Sequence, residues 1–155
     1  MPDKTKIFAA DSWIYIASRG ATPDTPVAHA TFPGTAWQNV GYFKRGTAKV
    51  TTEIHEIDLN DGQKQQLGVT LKFEAAALES DATMMTTLEG MINNKCDIII
   101  KPVSSSITRV VKLLGFNVSV GLEGPFVGND PLTVPIKGQS VGAKVTDCYD
   151  DITLT

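Results

Sequence analysis

One short stretch leaves this chain little freedom in how it folds. Asp61-Gly62 sits between two runs of alternating apolar and polar residues. That is the pattern of a β-hairpin closed by a two-residue type I′ turn. With that turn, Val50 faces Phe73, Thr52 faces Leu71 and Ile54 faces Val69, which makes one apolar face. On the other face Lys49 meets Glu74 and Glu53 meets Thr70. A slip of one residue would turn every apolar side chain outward, so turn chemistry and pattern together specify a single register. Near the turn the phase reverses. Ile57 and Leu59 fall on the polar face, opposite Gln66 and Lys64. Two arrangements remain open here: a bulge that returns the pair to the core, or an exposed apolar tip, which marks a partner surface.

Around this hairpin (residues 48–75) the chain reads mostly as strands. Ser12–Ser18 is rich in β-branched and aromatic residues and predicts a first strand. Residues 19–36 hold Gly20, Pro23, Pro26, Pro33 and Gly34, which exclude helix and central strand and leave a long loop. Loops of this length in a compact domain are usually functional or ordered by a partner. After the hairpin, ESDATMMTTLEGMINNK predicts a helix over residues 80–94. Ser80 or Asp81 can cap its start and Asn93/Asn94 can end it. Ala82, Met85, Leu88 and Ile92, widened by Met84 and Met91, form its apolar stripe. Gly90 weakens the helix in isolation by roughly 1 kcal/mol, so packing must sustain it. Cys96–Lys101, ended by Pro102, is a further strand, and Ile107–Leu122 alternates as a half-buried one. Leu132–Ile136 and Val141–Thr146 predict two more, separated by Gly138. The expectation is one domain over residues 1–155, mainly β: a β-sandwich or barrel with one flanking α-helix, a long loop and an extended β-hairpin.

Composition narrows the function. With 42% hydrophobic and 20% charged residues the chain suits a packed globular domain rather than a disordered one. A net charge of −3 with no Lys/Arg cluster argues against a tight grip on a phosphate backbone. No signal peptide is read at the N-terminus, and no apolar run approaches the ~20 residues that span a bilayer. Cys96 and Cys148 lie far apart with no CxxC spacing, which favours two buried thiols and leaves a disulfide open.

Catalytic and metal-binding patterns do not emerge. His29 and His55 have no His or Cys at ligand spacing. Glu53 and His55 share a strand side while Glu56 points away, the layout of a solvated face rather than an acid–base pair. In Asp58–Gly62 the glycine arrives one position too early for a calcium loop, and Val69 stands where the closing Glu belongs. Ser104–Ser106 has no nucleophile elbow, and Gly115, Gly121 and Gly124 fit no phosphate-binding fingerprint. The expectation is no enzyme, no metal and no cofactor.

The stretch AWQNVGYFKRGTAKVTTEIHEI (Ala36–Ile57) resembles the early part of tailed-bacteriophage tail tube proteins. In that family a Trp, a short turn ending in Gly, and a long strand with a Glu-rich end follow a variable loop. The order strand, long loop, hairpin, helix and further strands is also similar, as is the late PLTVPIKG strand. The resemblance implies a structural virion protein that assembles with itself into rings, commonly hexameric. Those rings stack into the conduit for genome ejection. It implies a virion location in the tail, assembly in the host bacterial cytoplasm, and contacts with other tail proteins. DNA would pass through the lumen without specific binding, and no membrane would be involved. The surfaces expected to meet other subunits are the hairpin tip (Ile57, Leu59, Asp61 and Gly62) and the loop around Pro23, Pro26 and Pro33. Two other readings fit the same composition. One is a different virion component, such as a head decoration or tail-completion protein. The other is a monomeric β-sandwich that binds carbohydrate or peptide.

Overall fold

Alternating β-branched residues need neighbouring strands, and among the described residues every strand pairing is antiparallel. The computed structural model describes residues 12–19, 32–34, 37–40, 48–78, 82–103, 108–122 and 133–154. In chain order these form β1 (Ser12–Ser18), β2 (Gln38–Asn39), β3 (Lys49–Asp58), β4 (Lys64–Leu78), α1 (Ala82–Glu89), β5 (Lys95–Pro102), β6 (Arg109–Val120), β7 (Thr133–Gly142) and β8 (Tyr149–Thr153). The strands make one sheet in the order β2-β1-β5-β6-β7-β4-β3, with β8 joined to β6. The fold is mainly β with one helix and a long hairpin, as expected. The sheet does not close: its path runs from β2 to β3, and those two ends are not paired with each other.

β6 is where the sheet turns its corner. Its first half pairs with β8 from Arg109 to Leu113, and its second half pairs with β7 from Asn117 to Val120. Leu113 and Phe116 are both buried in the same core although three residues apart, which strict alternation forbids. The extra residue is absorbed at Gly115, whose φ of +62° suits a residue without Cβ. The ladder to β5 shifts at the same place, between Cys96 and Ile98. The corner brings Ile14, Ile16 and Ile98 of one half into a common core with Leu71, Phe73 and Ile136 of the other. On the reverse face of β1, β5 and β6, a second core gathers Ala17, Phe32, Trp37, Ile99, Val110 and Leu154.

The helix is shorter than its periodicity predicts. α1 ends at Glu89, and the chain then tightens, with Met91 N–H donating to Leu88 O at 3.0 Å and Ile92 N–H to Glu89 O at 3.2 Å. Gly90 N–H still donates to Thr86 O at 3.1 Å, so the tightening starts after it, and Asn93 ends it in the left-handed conformation at φ +69°. The capping candidates Ser80 and Asp81 lie outside the described residues. Leu88 is fully buried in the first core, with Met85 and Met91 packed against it, so the helix lies against the same core the sheet curls around.

The last third departs from expectation. β7 runs unbroken through Gly138, because there the missing Cβ lets Phe116 and Val118 pack close against the strand. The predicted strand at Val141–Thr146 is instead the end of β7 followed by a 3-10 turn over Val145–Asp147. Asp147 Oδ2 accepts the Lys144 N–H at 3.1 Å and fixes that turn. The final strand, β8, starts only at Tyr149.

Candidate functional site

The hairpin arm of β3 and β4 is the most distinctive surface of the molecule. Its ladder from Lys49↔Glu74 to Ile54↔Val69 has the register the sequence specifies. The turn differs. Leu59 N–H donates to Gln63 O at 2.7 Å and Gly62 N–H to Leu59 O at 3.1 Å, so the loop is three residues, Asn60 to Gly62. Gly62 takes φ +84°, the left-handed position that closes such loops. Asp61 Oδ1 accepts the Gln63 N–H at 3.0 Å and holds the turn. The longer loop shifts the pairing near the tip to Glu56↔Gln66, Ile57↔Gln65 and Asp58↔Lys64. A bulge makes up the difference, with Leu67 as the unpaired residue of β4.

The bulge lies in β4, so the alternation of β3 is not interrupted. Ile57 and Leu59 therefore stay on the face opposite Val50 and Ile54, and both are exposed, at 44% and 37%. The tip is not core. Val50 and Ile54, on the inner face, are also exposed. Every residue from Lys49 to Leu67 is exposed, and among the described residues β3 has no pairing partner on its outer edge.

The polar side of the arm is electrostatically balanced. Lys72 Nζ lies 3.1 Å from the Glu53 carboxylate, and Lys49 Nζ lies 3.6 Å from that of Glu74. The hydrogen bond from Lys72, then its charge and that of His55, hold the Glu53 carboxyl below the usual glutamate range. His55 Nε2 is 3.0 Å from Thr70 Oγ1, so its ring is engaged with the strand beside it.

At the base of the arm the curled sheet leaves a groove of about 300 Å³. Val50, Leu71, Ile100, Val111, Val145 and Tyr149 line it, with Arg109 at its edge. The Arg109 guanidinium is held in a bidentate pair by Asp151, at 2.7 and 3.0 Å. The groove is therefore an apolar surface beside a neutralised pair.

A charged cluster lies on the other face of the body and has little signature in the sequence. Asp97 is buried and accepts the Gly115 N–H at 2.9 Å, with Lys112 Nζ and Arg19 Nη1 each 3.7 Å away. Lys112 also sits 5.7 Å from the centre of the Trp37 ring, whose Nε1 is buried and has no hydrogen-bond partner among the described residues. Buried Lys101 donates to Phe32 O at 2.8 Å, and burial pulls its pKa down. The only signal in the sequence is a single acid, Asp97, inside the apolar run of β5.

Of the residues predicted to meet partners, Ile57, Leu59, Asp61 and Gly62 come together at the exposed arm tip. Pro33 is buried within the chain, and Pro23 and Pro26 lie outside the described residues. Cys96 and Cys148 are buried free thiols. Burial, followed by the neighbouring Asp97 charge, pushes the Cys96 thiol up. Among the described residues no three His, Cys, Asp or Glu side chains converge as metal ligands. No helix among them is long and apolar enough to cross a membrane. Compared with known proteins, the sequence matches no family model and no curated protein.

Proposed function

We propose that this chain is a structural subunit that assembles with copies of itself, and that its assembly is the tail tube of a tailed bacteriophage. The observation that carries the reading is the arm. A ten-residue edge strand, β3, is exposed along its whole length and carries apolar side chains on both faces. Monomers blunt such edges or cover them, because an open strand edge with apolar side chains invites pairing with another chain. In a ring, a neighbour satisfies that edge. The mild negative charge and the sequence layout described above support the same reading, since a conduit for DNA should not hold its cargo.

Electron microscopy of the purified protein, across a range of concentration and salt, tests this directly. Rings or stacked tubes are the expected result. Monodisperse monomers at every concentration would overturn it. The assembly requires no metal, so dialysis against a chelator should leave the particles unchanged.

A further inference from the structure

Building on the self-assembly reading, we infer that the arm tip of one copy docks into the apolar groove at the arm base of the next. The two surfaces match in character. The tip presents Ile57 and Leu59 on a face that is otherwise polar. The groove presents Val50, Ile100, Val111, Val145 and Tyr149 around about 300 Å³ of unfilled space, which takes small aliphatic side chains. Ile54 extends the apolar strip from the groove along the inner face of the arm.

The occupant must come from another molecule. Val50 and Leu59 stand nine positions apart on one extended strand, a span of roughly 30 Å at strand rise. β3 is paired to β4 along nearly all of that span and cannot fold back on itself, so a tip cannot reach its own groove. The self-assembly reading makes that molecule a second copy of this chain, and the size of the arm suits it. A stable contact takes roughly 20–30 residues a side and about 800 Å² per partner. The arm is exposed over 19 residues, Lys49 to Leu67, close to that number of residues. Tip and groove are different patches, so the contact is head-to-tail. Such contacts either close into rings or propagate as filaments, whereas a patch meeting itself stops at a dimer.

Cysteine cross-linking tests the pairing. The chain has two cysteines, Cys96 and Cys148, and both are buried, so an introduced surface thiol reacts alone. Leu59→Cys and Val50→Cys proteins are prepared separately, mixed under assembly conditions and mildly oxidised. A disulfide-linked dimer of one with the other is expected as the dominant product. Val141→Cys is the control: Val141 is highly exposed but pairs with Thr70, on the opposite face from Val50. If assemblies form but Leu59→Cys links equally to Val141→Cys, or mainly to itself, the tip does not dock in the groove and the inference is overturned. If unmodified protein stays monomeric by light scattering, the self-assembly reading itself fails and the docking falls with it.

Discussion

Asp97 shows how one side chain can hold a corner of a sheet. Its carboxylate caps the N–H of Gly115, the residue that lets β6 change phase, and it faces Lys112 and Arg19. Asp97→Ala removes the acceptor of that N–H and the buried carboxylate that Lys112 and Arg19 both face. Breaking one partner of a buried charge set typically costs about 3–5 kcal/mol. Chemical denaturation should therefore show a loss of that order, with no comparable loss when exposed Asp150 is changed to Ala. A second prediction concerns Glu53 on the arm. Its carboxyl is held below the 4.5 of a free glutamate, chiefly by the Lys72 hydrogen bond and charge. A depressed carboxyl favours the fold above its unfolded pKa, and that contribution is lost as pH falls through the folded value. NMR titration of the Glu53 carboxyl should give a midpoint below 4.5, and Lys72→Met should move it upward. A midpoint unmoved by that substitution would mean the ion pair does not form in solution. Neither partnership could be read from spacing alone. Lys72–Glu53 is a diagonal cross-strand contact, and the Asp97 set is assembled by β1, β5 and β6 together.

Among the elements, the hairpin was the most legible and the helix the least accurately bounded. Alternation plus Asp61-Gly62 gave the right ladder because a wrong register would expose a whole face. The exact loop was not legible. Two-residue and three-residue turns both use Gly after Asp, and a bulge elsewhere can repay the difference. The helical stripe over residues 80–94 pointed correctly to the burial of Leu88. It could not show that the α-helix ends at Glu89, before the last turn of that stripe. Gly90 is the first residue past that end, and it carries a test. Its φ is not in the left-handed region, and an added Cβ would meet only Thr87 O at 3.4 Å and Thr86 O at 3.5 Å. Alanine fits there without strain and narrows the unfolded ensemble. Gly90→Ala should raise stability by about 0.5–1 kcal/mol, seen as a higher melting temperature. A lower one would show that the tightened turn needs glycine. The strand assigned to Val141–Thr146 failed for a related reason. A short apolar alternation says nothing of the side-chain bond from Asp147 that turns the chain.

At the scale of the whole molecule, the sequence indicated a mainly β chain but not how its one sheet would curl. That curl depends on Gly115 and on β8, whose acidic YDDIT run has little strand signature. The curl separates a covered body from an uncovered arm, and this division can be tested by placing one charge on each. Val69 is 2% exposed, on the face that Leu71 and Phe73 share with the main core. Val69→Asp puts a carboxylate into that core without a partner, which should cost several kcal/mol and unfold a large share of the protein. Leu59→Asp changes a residue already 37% exposed beside the turn, so the isolated subunit should keep its fold and nearly its melting temperature. Its effect should fall on assembly. Full burial of a leucine side chain is worth about 1.5–3 kcal/mol, and a charge in its place adds a desolvation penalty to every contact in the particle. Because each subunit makes the contact, the loss repeats around a ring and along a stack. The Leu59→Asp protein should therefore remain folded by circular dichroism while its threshold concentration for assembly rises sharply in sedimentation. If Leu59→Asp melts the monomer as badly as Val69→Asp, the tip is part of the fold rather than a contact. If it assembles as readily as the unmodified chain, the tip is not an interface.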